Sequence, residues 1–150
     1  MLQKGDHGMA SADNILFLMK HIEGGIKKDV DTQLRENDLT FSQSHVMFEI
    51  YKNNGSISQK KLQENLQVSH PTIVGLVQRL EKNGFISSRK DENDQRNKII
   101  FLTKKAEDFH KQMSAHRREY HKRMMKGFTE EEILELDRLL NKLNDNISEE

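Results

Sequence analysis

Seven histidines and no cysteine set the range of chemistry open to this chain. Without thiols there is no disulfide, no thiolate nucleophile and no cysteine redox sensor. A zinc ion would have to be held by imidazole and carboxylate alone. His45, His110, His116 and His121 fall on helical stretches, but their spacing is poor for a metal. Ser114 stands four residues beyond His110, and His116, six residues on, lies about 240° round a helix. Ordinary polar or pocket histidines are the simpler reading. No glycine-rich phosphate loop, nucleophile elbow or paired carboxylates in an evident cleft suggest catalysis, so neither an enzyme nor a cofactor is expected. The segment Lys90-Asp91-Glu92-Asn93-Asp94-Gln95-Arg96-Asn97 is different. It joins two strand-like stretches, 85–89 and 98–102, which a two-residue turn could have joined. Its surplus length suits a loop that touches something outside the protein. An arginine at such a tip can enter a narrow DNA minor groove, where the negative potential is deepest. Arg96 would do so, with Arg89, Lys90 and Lys98 adding positive charge. Asp94 is expected to pair with Arg96 and fix the shape of the loop. A merely solvated hairpin tip is the alternative.

The flanking elements must hold that loop. Ile15, Leu18, Met19, Ile22, Ile26, Val30 and Leu34 recur at three- and four-residue steps and predict a long helix over 12–36. Gly24-Gly25 interrupts it at a cost of about 1 kcal/mol per glycine. Thr40 and Gln43 form a capping box that opens a second helix, which Asn53-Asn54-Gly55 ends. Ser58 caps a short third helix, Gln67-Val68 turns, and Ser69 caps a fourth, with Pro71 tolerated in its first turn. Ile73, Leu76, Val77 and Leu80 form the inward stripe of that helix, and Gly84 stops it. Thr103 caps a fifth helix, and Thr129 and Glu132 open a last one. The fold class expected is mainly α with a small β-hairpin wing: two short capped helices, a tight turn and a hairpin that cannot fold alone make a winged helix-turn-helix.

The outward face of the fourth helix holds His70, Thr72, Val74, Gly75, Gln78, Arg79 and Lys82. His70, Thr72 and Gln78 are the expected base readers. Val74 could touch a thymine methyl. Gly75 either lets the helix approach the bases closely or is a tolerated helix defect. Ser56, Ser58, Gln59, Lys60 and Lys61 would position phosphates, and Ser69 is also expected among the DNA-binding residues.

The bulk numbers agree with a partner of this kind. Lys and Arg number 24, equal to Asp and Glu, so electrostatic binding depends on local segregation. From 56 to 103, eight basic residues stand against five acidic ones, a bias that predicts a shallow salt dependence. A chain 34% hydrophobic and 32% charged suits helices that complete their core against another chain. No apolar run reaches the roughly 18 residues of a membrane span, and no signal-peptide pattern opens the chain. A cytoplasmic protein without membrane contact is expected. Residues 1–11 read as a flexible leader. The basic fifth helix and the acid-rich start of the last helix could pair across or stay solvated.

Leu39-Thr40 with Gln43, Val68-Ser69 with Thr72, the run from Leu76 to Ile86, Arg89, Asp94-Gln95-Arg96 and Leu102-Thr103 resemble the multiple antibiotic resistance regulator (MarR) family. The resemblance spans nearly the whole chain, and 76–103 is its most specific part. It implies a homodimer built by the first and last helices, 12–37 and 104–150, with 38–103 as the DNA-binding lobe. It also implies a palindromic double-stranded site, the fourth helix in the major groove, and the wing arginine in the minor groove. A small-molecule effector would bind near Phe17, His21, His45, Phe48 and Phe109 and release the DNA. Family members often carry a polar residue and an arginine where this chain has Val74-Gly75. Zinc-responsive relatives have a ligand where His45 stands, which makes His45 and His110 the alternative metal pair. Those relatives, however, use a close histidine pair on the fifth helix. The function implied is a ligand-responsive transcriptional repressor. The alternatives are a zinc-responsive regulator of the same fold, or a winged-helix module that binds proteins.

Overall fold

A computed structural model describes residues 11–148, so the expected leader, apart from Ser11, lies outside the described residues. The elements run α1 (Ala12–Glu36), α2 (Phe41–Lys52), β1 (Ser56–Ser58), α3 (Gln59–Leu66), α4 (His70–Lys82), β2 (Ile86–Lys90), β3 (Lys98–Leu102), α5 (Lys104–Met124) and α6 (Glu130–Ser148). The chain divides into two compact units, Met1–Glu107 and Asp108–Glu150.

In the first unit, local hydrogen bonds set the helix boundaries. The Ser11 hydroxyl accepts the Asn14 N–H. Thr40 and Gln43 close their box in both directions, at 3.3 and 2.9 Å. Ser58 accepts from the Lys61 N–H, and Ser69 from that of Thr72. Each bond satisfies an amide that the first helical turn leaves without a carbonyl. At the far end of α4, Gly84 takes φ +76°, a conformation that costs an L side chain about 1–2 kcal/mol. This turn lets the Phe85 N–H reach back to the Leu80 carbonyl at 3.0 Å.

The hairpin proves to be two strands of a three-stranded antiparallel sheet, ordered β1-β3-β2. Ile57 pairs with Ile100, and Ser88 pairs with Ile100 from the other side. The sequence reading missed β1 because three residues are too few to show alternation. Val46, Ile50, Leu62, Ile73, Leu80, Phe85 and Ile100 are the most deeply buried side chains. Leu76, expected inward with its neighbours, is only half-buried, since its position falls at the edge of the apolar stripe. In α1 only Leu34 is buried, while Leu16, Phe17 and Ile22 stay exposed.

The second unit holds most of α5 and all of α6. Thr129 and Glu132 form the expected capping box, at 2.9 and 3.2 Å. Ion pairs run within the helices, Lys122 to Glu119 and Arg138 to Glu135. Leu134, Leu139, Leu140 and Ile147 of α6 are exposed.

One buried acid holds α2 to α3. Glu49 accepts the Asn65 side-chain amide at 2.8 Å and the Lys52 ammonium at 3.4 Å. The Asn65 bond comes first, with Lys52 behind it, and together they outweigh burial and hold the Glu49 carboxyl below its ordinary range. A carboxyl lowered by folding adds stability above its unfolded pKa and loses it as pH falls through the folded value. Asn65→Ala should therefore cost about 1–2 kcal/mol near neutral pH. In paired urea melts, the gap from the parent should narrow below pH ~4, where carboxyls protonate.

Candidate nucleic-acid interface

The wing loop owes its shape to two of its own acids. The Asp91 carboxylate accepts the Asn93 N–H at 3.0 Å, and the Asp94 carboxylate accepts the Arg96 N–H at 3.0 Å. The main chain closes the loop with Asp91 N–H to the Asn97 carbonyl and Asn97 N–H to the Asp94 carbonyl. Each acid thus spends its charge on backbone donors two residues ahead, as aspartates do in turns. Asp94 does shape the wing beside Arg96, but through the main-chain amide and not through the guanidinium. The Arg96 side chain remains exposed at the tip.

Between the wing and α4 runs a groove of about 440 Å³. Lys60 and Gln63 of α3 line one end, His70, Val74 and Gln78 line its length, and Arg96 and Lys98 close the wing side. Three cations converge there, with Glu81 as the single carboxylate, held by the Ser88 hydroxyl at 2.8 Å. His70 is tied to Gln63 across the turn, Nδ1 to Oε1, at 3.3 Å.

Of the expected DNA-contacting residues, Gln59, Lys60, His70, Val74, Gln78, Arg96 and Lys98 line this groove, and the others lie outside it. Gln59 lines it beside Lys60. The hydroxyls of Ser58 and Ser69 are occupied as helix caps, and that of Ser69 also bonds the Thr72 hydroxyl at 2.8 Å. Thr72 and Arg79 are exposed on the opposite flank of α4, roughly 140–160° round the helix from Val74. The Arg89 guanidinium lies 4.7 Å from the centre of the Phe101 ring, a cation–π contact that anchors it to the sheet. Lys90 and Lys98 stand directly opposite each other where the wing begins. Like charges so placed repel. Gly75 has open space where a Cβ would project, so packing within the chain does not require a glycine there.

Sequence reasoning missed Gln63, Glu81 and Asn97 as groove residues. Gln63 could have been found, since it follows Gln59 by one helical turn. Glu81 and Asn97 are brought to the groove only by the docking of the wing.

The residues expected to line an effector pocket fall in several places. Phe17 and His21 stack at 6.3 Å beside an open hollow on α1 that Lys20, Gly24, Gly25 and Lys28 complete. On α2, His45 packs on Phe41 and Phe48 lies under the Lys52 ammonium. Phe109 is buried and His110 half-buried. Among the described residues no three histidine or carboxylate side chains cluster as metal ligands, so the His45 and His110 alternative gains no donor set here. No described helix is long and apolar enough to cross a membrane.

Comparison with known proteins agrees with this geometry. The MarR family pattern matches residues 39–98, from two residues before α2 to the first residue of β3. The HTH-type transcriptional regulator YwoH of Bacillus subtilis (strain 168) is 30% identical over 107 residues, covering 71% of this chain and 77% of the relative. Another from the same organism, YybA, is 30% identical over 115 residues, covering 77% and 76%. The fold superposes with a TM-score of 0.77 on S. aureus MepR in a crystal structure of a MepR-DNA complex, at 25% identity, covering 87% of this chain and 98% of that one. With its winged helix-turn-helix and these relatives, the chain belongs to the MarR family of transcriptional regulators.

Proposed function

We propose that two copies of this chain bind one palindromic double-stranded DNA site in the cytoplasm and repress transcription there until a small molecule releases them. The groove between α4 and the wing carries the reading, because Lys60, Arg96 and Lys98 bring positive charge beside the exposed face of a capped helix. In a chain of zero net charge, this local segregation supplies the attraction for phosphate. The Lys90–Lys98 pair points the same way, since a polyanion across it would relieve the repulsion between them. The helix from His70 would lie in the major groove, with His70, Val74 and Gln78 at base edges and Arg96 in the flanking minor groove. Thr72, Arg79, Arg89 and Lys90 would lie along the backbone, and Ser58, Gln59 and Ser69 at helix starts that face phosphates.

Dimerisation is supported by apolar side chains that the single chain leaves in water. Ile15, Leu18, Met19, Ile22 and Ile26 of α1, and Ile133, Leu140, Leu143 and Ile147 of α6, are exposed at helical spacing. Burying them against a second copy recovers about 25 cal/mol for each Å² removed from water. An effector in the hollow beside Phe17 and His21 would act by favouring one separation of the two lobes over another.

Selection of bound duplexes from a random pool tests the whole reading, and a palindromic consensus with half-sites about one helical turn apart is expected. Recovery of unrelated sequences, or of none, would refute it. Two variants probe the parts. Arg96→Ala should weaken binding to the selected site by about 1–3 kcal/mol while sedimentation shows an unchanged dimer. Gly75→Ala should raise the stability of the free protein by about 0.5–1 kcal/mol, because it removes a mid-helix glycine with room for a methyl. The same variant should bind DNA more weakly by fluorescence anisotropy if the bare backbone at Gly75 meets the bases.

A further inference from the structure

The groove contains a hydrogen bond that the reading above leaves without a use. Gln63 brings Oε1 to 3.3 Å from Nδ1 of His70, and both side chains line the groove. With the amide oxygen toward the ring, where it can only accept, this contact places the imidazole proton on Nδ1. Nε2 of the neutral ring is then left with a lone pair and no hydrogen. A free histidine side chain prefers the opposite tautomer, so Gln63 selects the less common one. An Nε2 lone pair cannot bond a phosphate oxygen, because it needs a donor. In the major groove the donors are the amines of adenine N6 and cytosine N4, whereas guanine and thymine present acceptors.

We infer that Gln63 is a positioning residue that sets His70 to accept a hydrogen bond from an amine-bearing base, adenine or cytosine, at one position of each half-site. The inference rests on the DNA-binding reading and gives His70 a definite chemical preference within it. His70 is the first residue of α4, the end of a recognition helix that enters the groove foremost. Lys60 of α3, Glu81 of α4, and Arg96 and Lys98 of the wing are the charged side chains that share the groove with it. Lys60, Arg96 and Lys98 carry donors only and cannot substitute for an acceptor at Nε2, and the Glu81 carboxylate is engaged by the Ser88 hydroxyl.

The test has two arms on the full-length protein. Long-range proton–nitrogen spectra of 15N-labelled protein at pH ~8, above the ordinary imidazole range, report which ring nitrogen carries the proton. His70→Ala assigns the signal. The parent should show the proton on Nδ1, and Gln63→Leu should move it to Nε2. Duplex selection with the same proteins should then give adenine or cytosine at one position for the parent, and guanine admitted there for Gln63→Leu. The parent's preference at that position should be roughly tenfold, the size of a single mismatch. His70→Ala should lose it altogether, which keeps the test alive if Gln63→Leu does not fold. A proton on Nε2 in the parent, or identical base frequencies for parent and both variants, would overturn the inference. A parent that selects no duplex overturns it together with the reading beneath it. The spectrum of the free protein separates that failure from a wrong tautomer.

Discussion

The geometry of the reading lobe depends on how the chain leaves α4. Gly84 turns into the left-handed region, Phe85 folds back to bond Leu80, and the Phe85 side chain enters the core. Thr103 then locks the junction from the far end of the sheet. Its hydroxyl donates to the Gly84 carbonyl at 2.6 Å, and its N–H donates to the Phe85 carbonyl at 3.0 Å. Lys105 lays its ammonium over the Phe85 ring and donates to the Asn83 carbonyl. The end of one helix, the first strand of the wing and the start of the next helix are thus joined at one place. A wing hinged loosely there would leave Arg96 and Lys98 at no fixed distance from His70 and Gln78, and the groove would have no constant shape.

Much of this was legible because it is local. A hydroxyl or amide three residues from a free N–H can be read directly from Thr40-Gln43, Ser58, Ser69 and Thr129-Glu132, and each cap is found where it was expected. The apolar periods of α1, α4 and α6 were equally plain, since a helix repeats its pattern several times over. What could not be read is what depends on contacts far apart in the chain. β1 exists only because Ser56–Ser58 finds β3, some forty residues later. Glu81 reaches the groove because Ser88 lies opposite. The role of Asp94 was half legible: the residue was right, but a side-chain pairing was expected where a main-chain amide is the partner. Short acids in tight turns favour the nearest backbone donor, which costs less entropy to hold than the end of an arginine.

The polar composition takes on meaning beside the burial pattern. The core of the first unit is small and well closed, and no described buried side-chain polar atom lacks a partner. Most of the apolar residues left exposed lie along α1 and α6, with Phe41, Phe48 and Tyr51 of α2, Met124 and Phe128 besides. Most of the exposed apolar surface thus lies on two long helices, and three convergent cations lie in one groove.

The facing lysines at the base of the wing have a further consequence. In the unbound protein, dissolved ions that shield Lys90 from Lys98 ease the crowding and tighten the hairpin. In the DNA-binding role proposed above, the same ions compete with the hairpin for phosphates. Ionic strength therefore acts on this element with two opposite signs, steadying the arm while it discourages the grip.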